Sequence, residues 1–260
     1  MTVENLPNRI VAGRSITVFP DDIFIVSYPK SGNTWLRFLV GNLIYPDEPI
    51  NFANIETRVP DIYRNSDTEL RVLPRPRILK SHECFDPRYN NVIYIVRDPR
   101  DVAVSYYFYH LKQRWIEDGF YKDRFIKQFV AGDLKYGSWG ENVSSWLRVA
   151  QGNHPNFLFL QYESLLTQPE FEVEKITRFL KIKTTKLDLA RVIKLSSADH
   201  MRRLEKAQAN VWKTIKHSRR EIPFVRSARS GNWMSELSVH SARLIAARWR
   251  VLMKSLKYIK

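Results

Sequence analysis

The chain has 260 residues, 44% of them hydrophobic, and a formal charge of +15, enough for one sizeable core and short for two, so a single domain over 1–260 is expected, with its core at about 21–237. Cys84 is the only cysteine, which excludes an intrachain disulfide, and the six histidines are scattered without metal-binding spacing, so a metal enzyme is not expected. No apolar run approaches the ~20 residues of a membrane span, and residues 1–7 lack the basic and apolar blocks of an export signal, so the expected location is cytoplasmic. The excess of cations suits a polyanionic nucleotide, nucleic acid or an acidic membrane equally, and does not choose among them.

The first apolar run, 23–26, reads as a buried strand. It is followed by Tyr28-Pro-Lys-Ser-Gly-Asn-Thr-Trp35 and then by helical spacing over 34–44. A strand that turns into a helix here presents unpaired backbone N–H groups and the positive end of the helix dipole. Gly32 lets an anion approach the backbone, and Lys30 adds a point charge. The segment is phosphate-loop-like but differs from the triphosphatase pattern G-x-x-x-x-G-K-[ST], because its lysine precedes its only glycine.

Residues 48–76 read as a long irregular connection and a candidate substrate loop. A second short strand at 78–79 leads into Lys80 and His82, and histidine is the side chain best suited to take a proton near neutral pH. The third strand, 92–96, ends at Arg97, and a helix is predicted over 101–113 with Asp101 as its cap. Arg97 and Ser105, one turn into that helix, can converge on a second phosphate. The plainer alternative pairs Arg97 with Asp98 or Asp101 and turns Ser105 to the core. Further helices are predicted over 139–150 and 170–180, around a fourth strand at 157–160. The fold class is α/β: one central, mostly parallel sheet flanked by helices, with ligands beyond the carboxyl ends of the strands. The tail sets Ile245, Trp249, Leu252 and Leu256 at helical spacing among basic residues, predicting a basic helix at about 239–258. That helix packs its stripe on the core or, alternatively, makes a peripheral contact with acidic lipid.

Taken together, these segments resemble the cytosolic sulfotransferase family. Tyr28–Trp35 resembles its 5′-phosphosulfate loop, Lys80-Ser-His82 its catalytic histidine segment, and Tyr94-Ile-Val-Arg-Asp-Pro-Arg-Asp-Val-Ala-Val-Ser-Tyr-Tyr107 its 3′-phosphate segment. Tyr136-Gly-Ser-Trp139 and Tyr162-Glu163 fall where similar short motifs occur, and Phe224-Val-Arg-Ser-Ala-Arg-Ser-Gly-Asn-Trp233 resembles the late segment that closes over the donor. The resemblance implies sulfonate transfer from 3′-phosphoadenosine 5′-phosphosulfate (PAPS) to a hydroxyl or amine, without a metal. It implies that Lys30, Ser31, Gly32, Asn33 and Thr34 hold the 5′-phosphosulfate. It places Trp35 and Tyr162 near adenine and Arg97, Ser105 and Arg226 on the 3′-phosphate. His82 would be the general base, with Lys80 and Lys30 neutralising charge in flight.

Two departures qualify this. Arg226-Ser227-Ala228 lacks the family's lysine and glycine, so Arg229, with Gly231 nearby, is the candidate replacement. Ser196-Ser-Ala198 offers no ring where the family has a phenylalanine. No dimerisation motif is recognisable, which leaves the oligomeric state open. A small-molecule kinase and a non-catalytic polyanion binder are the alternatives, the second suggested by basic tracts at 181–186, 202–203 and 213–220. Nucleic acid is not the expected partner. The acceptor is expected to be a small hydrophobic or aromatic alcohol, held by segments 51–76 and 112–135.

Overall fold

The computed structural model describes residues 15–152 and 154–260, so the reading of residues 1–7 as lacking an export signal lies outside the described residues. In chain order the elements begin with β1 (Ile23–Val26), α1 (Asn33–Ile44), α2 (Ile55–Arg58), α3 (Asp67–Arg71), β2 (Ile78–Ser81), β3 (Asn91–Val96) and α4 (Pro99–Lys112). They continue with α5 (Lys122–Ala131), α6 (Trp139–Gln151), β4 (Phe157–Gln161), α7 (Tyr162–Thr167) and α8 (Pro169–Phe179). The last are α9 (Lys186–Leu195), α10 (Ala198–Gln208), α11 (Trp233–Glu236), α12 (Val239–Arg248) and α13 (Arg250–Ser255).

The four strands form one parallel sheet in the order β2-β1-β3-β4. Their near-continuous apolar sequences are explained by helices on both faces. Along β1 and β3 alternate residues part: Phe24, Val26, Val92, Tyr94 and Val96 join one cluster with Val102, Trp139 and Trp146 of α4 and α6. Ile25, Ile93 and Ile95 face the other way, onto Leu36 and Leu39 of α1 and Val173 and Ile176 of α8. All four carboxyl ends therefore point to one edge, where β1 runs into the α1 loop, β2 into His82, β3 into Arg97 and β4 into Tyr162.

Three expectations need correction. Asp98, not Asp101, caps α4, accepting from the Arg100 N–H at 2.8 Å. Pro99 explains the earlier start, because its fixed φ and missing N–H suit the first helical position. The stretch 48–76 holds two short helices, and α3 opens with a capping box in which Ser66 and Glu69 bond reciprocally. The tail is two helices that break at Trp249, whose φ of −121° and ψ of 30° are not helical. Ile245, Trp249 and Leu256 are buried in the main core, so the packing alternative holds and the stripe is not free to meet lipid. Among the described residues no helix is long and apolar enough to cross a membrane.

Candidate functional site

The turn after β1 is shaped by two left-handed residues, Lys30 (φ 67°) and Gly32 (φ 101°). Gly32 is needed twice over, since a Cβ there would sit 2.7 Å from Cδ2 of Tyr162. No side chain caps α1, so its first N–H groups are available to an anion at this strand end. Asn33 also lines this edge, while its Nδ2 donates to the carbonyl of Ile25 (3.1 Å) and to Ser27 Oγ (3.2 Å), tying the loop to β1. Ser31 is fully buried, and its Oγ has no protein partner.

A cavity of about 370 Å³ opens on this edge, lined among others by Lys30, Gly32, Thr34, Trp35, Arg97, Ser105, Tyr162 and Arg226. Lys30 Nζ lies 4.3 Å and 4.1 Å from the ring centroids of Tyr109 and Phe224. Burial first, then the charge of Arg97, pushes the lysine down to about 7. Arg97 does not pair with its neighbouring carboxylates, as the plainer alternative required. Its guanidinium donates to the carbonyls of Arg229 (2.8 Å) and Lys30 (3.3 Å) and lies 4.1 Å from the Tyr162 ring centroid, while its buried Nε has no partner. Asp98 is taken by Arg100 at 2.6 Å, and Asp101 accepts from the amides of Gly231 (2.7 Å) and Trp233 (3.0 Å).

Those last bonds hold the late segment against α4, and α10 holds its other side. Glu205 accepts from the amides of Phe224 and Val225, and Arg202 donates to the carbonyls of Val225 and Arg226. Arg202, part of a tract suggestive of polyanion binding, thus has internal work. Arg226 lines the cavity and pairs with Glu236 at 3.3 Å. Arg229 is exposed and absent from the described lining, and Gly231 contributes its amide to Asp101, so neither is brought into the cavity wall. Ala228 keeps a left-handed φ of 50°, the conformation a glycine would take without the ~1 kcal/mol cost of a Cβ.

On the other side of the loop, His82 Nδ1 lies 2.7 Å from the carbonyl of Ser27. A carbonyl can only accept, so Nδ1 carries the proton and Nε2 is left as the basic nitrogen. Burial, with the charge of Lys80 next, holds the imidazole well below its ordinary value, which keeps it neutral. The rings of Tyr63 and Tyr136 flank it at centroid distances of 5.9 Å and 5.1 Å.

Lys80 is bound by Asp61 at 2.6 Å, in a buried network that includes Arg37 and Glu56 at 3.1 Å. Burial alone would raise the Asp61 carboxyl, yet Lys80 and Arg37 hold it below the usual range. Sequence reasoning missed Asp61 and gave Tyr63 no role. Both sit in the stretch taken as irregular, and they reach the site through the isolated bridge of Asp61 to Lys80 on the edge strand β2 and through the His82 N–H, which donates to the Tyr63 hydroxyl at 2.8 Å.

A family model described as "Sulfotransferase domain" matches residues 20–257. Sulfotransferase 2B1 of Mus musculus is 30% identical over 254 residues, covering 94% of this chain and 74% of the relative. Sulfotransferase 1A1 of Bos taurus is 30% identical over 260 residues, covering 94% and 87%. Among solved structures, mouse sulfotransferase SULT7A1 complexed with PAP is similar with a TM-score of 0.73 and 25% identity, covering 94% of this chain and 91% of that one. Retinol dehydratase, solved with androsterone and inactive cofactor PAP, shares the fold with a TM-score of 0.78 at 19% identity, covering 92% and 82%. Neither the kinase nor the polyanion-binding alternative finds support here. The chain belongs to the sulfotransferase family.

Proposed function

We propose that this chain moves the sulfonate of PAPS onto the hydroxyl of a small-molecule acceptor, with His82 Nε2 as the base that takes the acceptor's proton. The observation that carries the reading is the bond between Nδ1 and the Ser27 carbonyl, which makes Nδ1 the donor and leaves Nε2 as the basic nitrogen, in a cavity that Lys30 and Thr34 also line. The residues present fit an adenosine nucleotide with two anionic ends. Lys30, Ser31 and the first amides of α1, with Gly32 and Thr34, hold the 5′-phosphosulfate. Arg97, whose buried Nε is unsatisfied, Ser105 and Arg226 hold the 3′-phosphate. Trp35 and Tyr162, in edge contact at 5.4 Å, border the base.

PAPS supplies an activated sulfonate whose displacement, like phosphoryl transfer, is accelerated by alignment and charge neutralisation. Lys30 and Lys80 provide that neutralisation, Lys80 while anchored to Asp61. The Arg226-Ser227-Ala228 departure leaves Arg226 as the late segment's only cation on the 3′-phosphate. A cytoplasmic setting belongs to the same proposal, since a lone cysteine leaves no intrachain disulfide in need of an oxidising compartment.

Replacing His82 with alanine should slow single-turnover sulfonate transfer roughly 10²- to 10⁴-fold while leaving PAP affinity nearly unchanged, because the imidazole acts on the acceptor. Single-turnover rates equal to those of the parent would make His82 structural.

A further inference from the structure

The charges around the cavity do not balance once the donor is accounted for. Asp61 is the only carboxylate among its described lining residues, against seven lysines and arginines. Arg37 is bound by Glu56 and Lys80 by Asp61. Lys30, Arg97 and Arg226 answer the two anionic ends of PAPS. Arg64 and Lys135 remain, and no role above uses them.

Both lie where the acceptor would. Arg64 follows Tyr63 and Lys135 precedes Tyr136, the two rings that flank His82. Arg64 lines the cavity together with Tyr109, Tyr136 and His82; burial raises both tyrosine hydroxyls, and the charge of Arg64 partly opposes that rise. Lys135 Nζ is 5.6 Å from the Tyr136 ring centroid. Both cations are exposed, whereas Lys80 beside the base is buried. From the base outward, the acceptor therefore meets aromatic faces and then two cations at the rim. Rings at this spacing suit a flat aromatic body. A guanidinium and an ammonium together suit an anionic group, since their attraction is strengthened at the edge of a partly dehydrated cavity.

Given sulfonate transfer with His82 as base, we propose that the acceptor is an aromatic alcohol bearing an anionic group at the end opposite its hydroxyl, bound by Arg64 and Lys135. The chemistry is directional. The hydroxyl enters toward His82 and the charged end stays at the rim, so the sulfonated product carries a negative charge at both ends.

The test uses three phenols that differ in the para substituent: 4-hydroxyphenylpropionate, 4-propylphenol and tyramine. Each is titrated calorimetrically into the enzyme saturated with PAP and assayed for turnover with PAPS. The acid should bind about tenfold tighter than the neutral phenol, and the amine should bind weakest. The double variant Arg64→Gln, Lys135→Gln should bring the acid to the level of 4-propylphenol. Equal binding of the three, preference for the neutral phenol or the amine, failure of all three to bind, or an unchanged preference in the double variant would each overturn the proposal. PAP affinity, read in a separate titration of PAP into the enzyme alone, separates this failure from that of the donor reading: normal PAP binding confines it to the acceptor, whereas absent PAP binding overturns both.

Discussion

At the scale of single residues the site depends on groups held away from their ordinary protonation. Lys30 is close to half charged near pH 7 in the free protein, because burial and Arg97 disfavour its cation and two aromatic faces replace a carboxylate partner. An anion bound at the loop reverses that balance and raises the lysine's pKa. PAP binding at pH 8 is therefore expected to take up most of one proton at Lys30, and affinity should weaken as pH rises through and above about 7. The phosphates of PAP are already fully ionised at pH 8, so the uptake belongs to the protein. Calorimetry in buffers of different ionisation enthalpy measures it, and an enthalpy independent of buffer would contradict this account of Lys30. His82 is shifted the same way but stays neutral throughout this range, so it does not obscure the measurement.

At the scale of elements, strand ends followed by helix starts deliver the chemistry, and the tail stabilises them from behind. Trp249 packs against Trp139 at a centroid distance of 5.1 Å, and a Cβ on Gly140 of α6 would meet its Cδ1 at 2.5 Å. Gly140→Ala should therefore destabilise the protein by about 1–3 kcal/mol through overpacking, although alanine favours a helix. That loss corresponds to a fall in Tm of at least a few degrees. A raised Tm would mean that the tail does not pack on α6. The strands were legible because buried parallel strands read as short apolar runs, and α1, α6 and α8 were legible from their spacing. The start of α4 was misread because Asp98 and Asp101 are both good caps, and only Pro99 decides between them. The break at Trp249 left no mark, since no proline or glycine stands there.

At the scale of the whole molecule, the sheet edge gathers what the chain disperses. Lys30, His82 and Arg97 were legible as candidates because each stands at or just beyond a strand end, Ser105 because it lies one helical turn past Asp101, and Tyr162 only through the family resemblance. Asp61, Arg64 and Lys135 could not, because they reach the cavity through long-range packing of segments without periodicity. Arg229 was named for its charge alone, and the structure uses its carbonyl instead. The late segment is pinned from both sides, by Asp101 on α4 and by Glu205 and Arg202 on α10, which brings Arg226 to the cavity wall.

The central claim is that this edge binds an adenosine nucleotide through both of its phosphates. It is tested by titrating the protein calorimetrically with PAP, adenosine 3′,5′-bisphosphate, and with adenosine 5′-monophosphate, which lacks the 3′-phosphate. Charge-assisted contacts are worth roughly 1.5–3 kcal/mol each, so losing two of the three from Arg97, Ser105 and Arg226 should weaken binding about a hundredfold or more. Arg97→Ala should remove most of that difference. Equal affinity for the two nucleotides, or an Arg97→Ala protein that still separates them fully, would contradict the account.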